Sequence, residues 1–289
     1  MQGRTKLNVS DVLAKKEKKE KISVLTAYDY STARICDKAD IDILLVGDSA
    51  GMVVLGYPST VPVGMQDMMI FCGAVARGTK RAMIVGDMPF GSYQVGPSVA
   101  VENAVQLIKA GCDAVKLEGG SEIIDTIKAI VDVGIPVMGH IGLRPQTSSL
   151  WEGYKLQGRT KEGAIKLIED ANALEKAGVF SIVLEMTAAE VAGTITKSLS
   201  IPTIGIGSGP DCDGQVLVLH DMLGIYEDIR PRFVKRYAEL SNEIFDAVSN
   251  YNHDIKAGTF PEESNTFHMD AHELDKWKNE RRERRRRGI

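Results

Sequence analysis

The chain has 289 residues, 44% of them hydrophobic and 26% charged, an ordinary balance for a globular protein and enough to bury a large core. No segment approaches the ~18 uninterrupted apolar residues that a membrane span needs. The opening MQGRTKLNVSDVLAKKEKKEK has no apolar run of the signal-peptide kind, so a cytoplasmic location is expected. The net charge of −4 hides a split: Lys276 to Ile289 carry eight Lys and Arg against two Glu, leaving about −10 for everything before them. An acidic body argues against a basic groove for nucleic acid, and the basic run itself reads as a solvated, disordered or frayed helical end. Cys36, Cys72, Cys112 and Cys212 are scattered without a C-x-x-C pair or a nearby His cluster, so they are expected as reduced thiols rather than a zinc site or disulfide framework.

From Lys21 onward, short runs rich in Val, Ile and Leu alternate with longer segments of helical spacing. In chain order the predicted strands are KISVLTAYD from Lys21, ILLVGDS from Ile43, AMIVGDMPF from Ala82, AVKLEGG from Ala114, PVMGHIG from Pro136, SIVLEMT from Ser181, PTIGIGSG from Pro202 and QVLVLHD from Gln215. The helices predicted between them include Ser98 to Gly111, with Ser98 as cap and Glu102 in the first turn, and Lys161 to Gly178. Strands that are apolar at nearly every position and separated by helices indicate a parallel sheet covered on its outer face. KAGCDAVKLEGG and KAGVFSIVLEMT share one spacing from a helix-ending glycine (Gly111, Gly178) to a strand-ending glutamate (Glu118, Glu185). Eight such units in roughly 250 residues match a closed parallel eight-stranded (β/α)₈ TIM barrel in a single α/β domain. An open doubly wound sheet is the alternative, weakened by the absence of G-x-G-x-x-G after the first strand. Residues 1–20 are then an N-terminal helical segment packing on the barrel, 21–260 the barrel, and 261–289 an extension ending in the basic tail.

Two of these strands stop at Val-Gly-Asp. A lone Asp after a strand is ordinarily a turn former or a cap, but Asp48, Asp87, Glu118, His140 and Glu185 each stand at the C-terminal end of a different predicted strand, with Lys116 on the same side of its strand as Glu118. In a barrel those ends converge on the face where barrel enzymes place their chemistry. Two aspartates and a glutamate offer hard oxygen ligands suited to Mg²⁺ with substrate and water completing the octahedron. A buried Lys beside them neutralises an anionic ligand, and a carboxylate across the mouth can take a proton. The chemistry this suggests is metal-assisted enolisation of an oxo acid. Plainer readings remain beside it: Lys116 and Glu118 as an internal ion pair, His140 and His220 as core histidines, and the glycines of GIGSGPDCDG as simple turns rather than an anion cradle.

The chain also resembles the ketopantoate hydroxymethyltransferase family from about Lys6 to about Pro261. The motifs that carry the likeness are TAYDY, VGDS, GDMPF, VKLEGG, GHIGLRPQ, GYKLQGR (Gly153 to Arg159), VLE, IPTIGIGSG and DGQVLVLHDMLG, which are specific in this order and not singly. The resemblance implies a (β/α)₈ barrel, Mg²⁺, and transfer of a one-carbon unit from 5,10-methylenetetrahydrofolate, as cosubstrate, to 3-methyl-2-oxobutanoate, giving 2-dehydropantoate at the first committed step of pantothenate synthesis. It implies Asp48 and Asp87 as Mg²⁺ ligands with Glu118 completing the metal site directly or through water. Substrate contacts fall to Asp48, Ser49, Asp87, Lys116 and His140, the last orienting substrate or folate, and the base is Glu185. Its partners are then a small 2-oxo acid and a folate, in a homo-oligomer, commonly a decamer of two stacked pentameric rings. The Arg-rich end is longer and more basic than the family pattern. A Mg²⁺-dependent lyase or mutase of the phosphoenolpyruvate mutase type is the rival reading, but the K-x-C-G-H loop of many such lyases is missing from the sequence. A catalytically idle barrel that binds RNA through its tail would need losses at the site, and every expected position is filled.

Overall fold

Eight strands form where the apolar runs predict them: β1 Ile22–Thr26, β2 Ile43–Val46, β3 Met83–Asp87, β4 Ala114–Glu118, β5 Val137–Gly142, β6 Ser181–Glu185, β7 Thr203–Ile206 and β8 Gly214–Leu217. The computed structural model describes residues 5–147 and 155–288, so Gly153 and Tyr154 of the GYKLQGR motif, the first four residues of the N-terminal segment and Ile289 lie outside the described residues. Each strand pairs in parallel with the next, and β8 pairs with β1 to close the barrel. The alternation of side chains then sorts the core into two layers. Ile22, Ile43, Met83, Met138 and Ile204 fill the barrel interior, whereas Leu44, Ile84, Val115, Ile182 and Leu184 face the outer helices.

The interior is plugged from below by α1, Val9–Glu17, whose start is fixed by a reciprocal capping box between Asn8 and Asp11. Val12 of α1 is fully buried and packs with the interior residues at the strand starts. Lys15 pairs with Asp42 at 3.2 Å and Lys16 with Asp213 at 2.9 Å around it. The apolar packing closes one end of the barrel and leaves the other for polar groups.

The outer wall is built from α2 Tyr30–Lys38, α4 Met65–Gly78, α5 Pro97–Ala110, α6 Ile124–Asp132, α7 Lys161–Lys176 and α8 Ala189–Ser198, with a short α3 Ala50–Val53 at the barrel mouth. The repeated Gly-to-Glu spacing holds: Gly111 and Gly178 both adopt positive φ (112° and 94°), which ends α5 and turns the chain after α7 into strands of identical offset. The start of α5 differs from expectation. Pro97 is its first residue and Gly96 its cap, because proline has no N–H to leave unpaired there, so Ser98 lies inside the helix and makes no cap, and Glu102 falls beyond the first turn.

The wall is also incomplete between β7 and β8. Residues 207–213 cross between them as a loop, tied down where Lys21 Nζ donates to Cys212 O at 2.6 Å. After β8 the chain leaves the sheet at Leu217, and His220 and Asp221 lie on a five-residue helix, α9 Leu219–Leu223, rather than at a strand end. An apolar groove of about 1450 Å³ is left on this side, against β1, β8 and α2. The barrel belongs to a compact unit that ends at Ala238. A second unit begins at Glu239 and contains α10 Leu240–Ala257 and α11 Ala271–Arg286, the latter laced by pairs such as Glu280 with Arg284 at 2.8 Å. No residue of α10 or α11 is buried. No helix among the described residues is long and apolar enough to cross a membrane.

Candidate active site

Parallel pairing sets the strand-end polar groups side by side. Asp87 of β3 is in register with Lys116 of β4, Glu118 of β4 with His140 of β5, and Gly142 of β5 with Glu185 of β6. The glycine in each Val-Gly-Asp has a steric reason. A Cβ on Gly86 would lie 2.8 Å from Cys112 Sγ and 3.2 Å from Cys72 Sγ, and one on Gly47 would lie 2.8 Å from Ser49 Oγ. Glu185 is fixed by its backbone: Leu143 N–H donates to its carbonyl at 2.8 Å, and Gly142 (φ 92°) allows that approach. Met186, which follows it, takes φ 42°, a conformation costly for a non-glycine and held by Gln157 N–H donating to its carbonyl at 2.7 Å.

Asp48, Ser49, Asp87, Lys116, Glu118, His140 and Glu185 all line one cavity of about 340 Å³ at the barrel mouth, so every expected site residue is brought together. Lys116 Nζ is the hub, 2.9 Å from Asp87 Oδ1, 3.1 Å from His140 Nδ1 and 3.9 Å from Glu118 Oε1. Since an ammonium only donates, Nδ1 of His140 accepts and the ring proton sits on Nε2. That Nε2 faces Glu185 Oε2 at 3.3 Å but is buried without a well-aligned partner. Asp87 Oδ1 likewise meets Lys116 as an ion pair without an aligned hydrogen bond. Asp87 Oδ2 accepts from Asp48 N–H at 3.2 Å, and Ser49 Oγ and Tyr28 OH lie 2.8 Å apart.

Burial and crowding set the charges. Burial works against the Lys116 ammonium, but Asp87, Glu118 and Asp48 together outweigh it and hold the lysine charged. Burial pushes His140 well below its ordinary range, with the Lys116 charge adding, so the ring is neutral. Burial and the neighbouring charges of Asp87 and Glu118 raise the Asp48 carboxyl well above its usual value. Burial likewise pushes Glu118 up to about 8 and Glu185 up to about 7, in both cases against the pull of Lys116. Four carboxyl groups around one lysine leave room for a further positive charge.

Two residues that complete this arrangement were not singled out as site residues in the sequence. Gln146, fully buried, donates from Nε2 to Asp48 Oδ2 and to Met88 O, both at 2.9 Å, and from its backbone N–H to Glu118 Oε2 at 3.1 Å. Tyr93 OH donates to Gln146 Oε1 at 2.7 Å and accepts from Glu118 N–H at 3.1 Å. Gln146 closes the GHIGLRPQ motif, which was its only signal; Tyr93 lay in a loop with none. His220 stays outside the cluster, stacked on Tyr28 with ring centroids 5.5 Å apart.

Among the described residues no three His, Cys, Asp or Glu side chains close round one point as a ready-made cage. A hard cation needs no such cage, since one or two carboxylates with water and substrate can hold it. Asp48 and Asp87, bridged by the Asp48 N–H, match that requirement: Gln146 Nε2 fixes one oxygen of Asp48, and Asp87 is held by Asp48 N–H at Oδ2 and by Lys116 at Oδ1.

The family described as ketopantoate hydroxymethyltransferase matches residues 6–263. A 3-methyl-2-oxobutanoate hydroxymethyltransferase from Nitrosopumilus maritimus is 58% identical over 269 residues, covering 93% of this chain and 96% of the relative. One of the same name from Staphylothermus marinus is 56% identical over 271 residues, covering 94% and 99%. Among solved structures, the phosphoenolpyruvate phosphomutase of Streptomyces platensis subsp. rosaceus superposes with a TM-score of 0.60 at 13% identity, covering 97% of this chain and 99% of that one. Phosphonopyruvate hydrolase in complex with oxalate and Mg²⁺ superposes with a TM-score of 0.58 at 13% identity, covering 96% and 97%. At such identity these likenesses speak for the barrel alone.

Proposed function

The chain belongs to the ketopantoate hydroxymethyltransferase family and is a transferase, and from that premise we propose that it moves a one-carbon unit from 5,10-methylenetetrahydrofolate to 3-methyl-2-oxobutanoate, giving 2-dehydropantoate at the first committed step of pantothenate synthesis. The observation that carries this reading is the division of the carboxylates. Asp48, Asp87 and Glu118 crowd around Lys116, while Glu185 stands against neutral His140, forms no ion pair with a Lys or Arg among the described residues, and is pushed up to about 7 by burial that outweighs the pull of Lys116. A carboxylate so poised is suited to take a carbon-bound proton near neutral pH.

In this proposal Asp48 and Asp87 would hold Mg²⁺, with Glu118 completing the site directly or through water. When bound, the ion supplies positive charge that stabilises the developing enolate. Lys116 offsets the substrate carboxylate, while Ser49 Oγ and the Nε2–H of His140 donate to its oxygens and orient it. Glu185 takes the C3 proton. The folate-borne methylene in its iminium form takes up water as an N-hydroxymethyl group, whose C–N bond breaks with its electron pair returning to the folate nitrogen; the enolate carbon bonds to the formaldehyde carbon so freed, and its oxygen takes back the proton held by Glu185. Family membership likewise supports a cytoplasmic homo-oligomer, of which a decamer is the size proposed.

Proton exchange at C3 of 3-methyl-2-oxobutanoate in D₂O tests the reading. Mg²⁺-dependent exchange by the wild type and its loss in Glu185→Gln are expected. Absence of exchange in folded, Mg²⁺-binding protein would remove Glu185 as the base and leave the lyase reading standing.

A further inference from the structure

The cavity has a second polar end that the chemistry above does not use. Helix α9 is pinned at the mouth of the barrel where Leu219 N–H donates to Thr26 Oγ1 at 2.9 Å, at the end of β1. This sets Asp221 on the cavity wall. Its carboxylate has no hydrogen-bond partner among the described residues, and burial pushes it up to about 6 against the pull of Arg236. A half-buried acceptor in a cleft, without a hydrogen-bond partner among the described residues, can take a donor from a ligand. Tyr28 is buried with its OH 2.8 Å from Ser49 Oγ, and the charges of Asp221 and Asp48 add to burial in raising its phenol.

The chain after α9 builds the rest of this end. Residues 224–237 form a loop closed at its base where Tyr237 N–H donates to Met222 O at 2.8 Å. Phe233 packs on Gly207, where a Cβ would come within 2.7 Å of the ring. Ile229, Pro231, Phe233, Met52 and Val53 give the cavity apolar lining. Arg232 lines its edge and is exposed, in a run, RPRFVKR, that concentrates positive charge at the rim of an acidic body. An acceptor inside, apolar walls, an aromatic ring and a cation outside describe the complement of a flat heterocycle with paired N–H donors at one end and carboxylates at the other.

We propose that this end of the cavity binds the folate cosubstrate, with Asp221 accepting from the amino and ring N–H donors of the pterin and Arg232 facing the glutamate carboxylates. The assignment rests on the proposed transfer reaction and adds where the donor sits. A carboxylate takes two parallel N–H donors in a fork, the geometry that charge-assisted bidentate pairs favour. The transferable methylene lies between pterin and glutamate, so holding both ends aims it at the acid cluster.

The test uses the full chain with Mg²⁺ and compares wild type, Asp221→Asn, Asp221→Glu and Arg232→Gln. Asparagine keeps the shape but sets an N–H₂ against one of the pterin donors. The Michaelis constant for 5,10-methylenetetrahydrofolate should rise roughly tenfold or more in Asp221→Asn, with that for the oxo acid unchanged and partial recovery in Asp221→Glu. Arg232→Gln, at an exposed position, should lose any preference for tri- over monoglutamyl folate. Tetrahydrofolate binding by calorimetry should weaken in parallel. Unaltered folate constants and unaltered tetrahydrofolate binding in both Asp221→Asn and Arg232→Gln would overturn the assignment. The C3 exchange reaction needs no folate and separates the two ideas: wild type that neither exchanges nor transfers defeats the proposed function, while the calorimetry still decides the folate site.

Discussion

Gln146 holds Asp48 by a 2.9 Å hydrogen bond from its side-chain amide, and the direction of that amide is fixed because its other hydrogen meets Met88 O, also at 2.9 Å. Both partners only accept, so the nitrogen must face them and Oε1 must face Tyr93. One Asp48 oxygen is thereby tied and the carboxylate plane set before any cation arrives. Gln146→Met keeps the length and removes every side-chain hydrogen bond. Loss of about 1–3 kcal/mol of stability is expected from the stranded buried groups, together with a fall in Mg²⁺ affinity of roughly 10–100-fold, the usual effect of removing a group that orients a ligand. Calorimetric Mg²⁺ titration and melting with and without the metal separate the two effects; a variant with wild-type affinity would show that Gln146 serves packing only.

Glu185 gives a pH dependence of definite sign. Its folded value of about 7 lies above the ordinary 4.5, so the folded chain binds more protons than the unfolded chain between those values. Its contribution to stability is therefore full below about 4.5 and is lost as pH rises through 7. Enolisation runs the other way, since the base must be ionised, and C3 exchange should climb to a plateau above about 7. Glu185→Gln should abolish exchange and be more stable than wild type at pH above that value, which chemical unfolding at several pH values measures. Exchange that falls as pH rises through neutrality would count against Glu185 as the base.

How far the sequence reached is clear from particular residues. Strand ends could be read because each apolar run stops at a polar residue, and the barrel rule then gathered Asp48, Asp87, Glu118, His140 and Glu185 without any knowledge of register. Asp221 was read as the end of a strand because QVLVLHD stays apolar up to His220. The chain leaves the sheet earlier because Leu219 N–H finds Thr26 Oγ1, 193 residues away in sequence. Gln146 and Tyr93 act through contacts between loops, and no periodicity records such contacts. Ser98 was misplaced by a local rule overridden by another, the preference of Pro97 for the first helical position.

Lys116 is the single cation of the cluster and lies 2.9 Å from Asp87 in a site where both side chains are almost wholly enclosed. Removing one member of a buried pair leaves the other uncompensated, a loss of about 3–5 kcal/mol. Lys116→Met should show that loss in metal-free chemical unfolding and should lack both oxo acid binding and transfer. Adding Mg²⁺ should restore part of the stability, since a cation at Asp48 and Asp87 replaces the missing charge, but not the transfer. A variant as stable as wild type without metal would mean that Asp87 does not depend on the lysine.

Gly86 links the packing behind the sheet to the chemistry in front of it. The two thiols of Cys72 and Cys112 fill the space where its Cβ would stand, at 3.2 Å and 2.8 Å, and the next residue is Asp87. Both sulfurs belong to the packed outer core, so neither can retreat freely. Gly86→Ala should cost about 1–3 kcal/mol through overpacking and raise the Mg²⁺ concentration needed for half-maximal C3 exchange by displacing Asp87. Pairing it with Cys112→Ala opens the space, so the double variant should be more stable than the sum of the two single losses predicts. Denaturant unfolding of the four proteins in the cycle reads the coupling directly. Additive losses would mean that the glycine answers to strand geometry rather than to the thiols, and an unchanged Mg²⁺ requirement would mean that Asp87 is held from the cavity side by Lys116 alone.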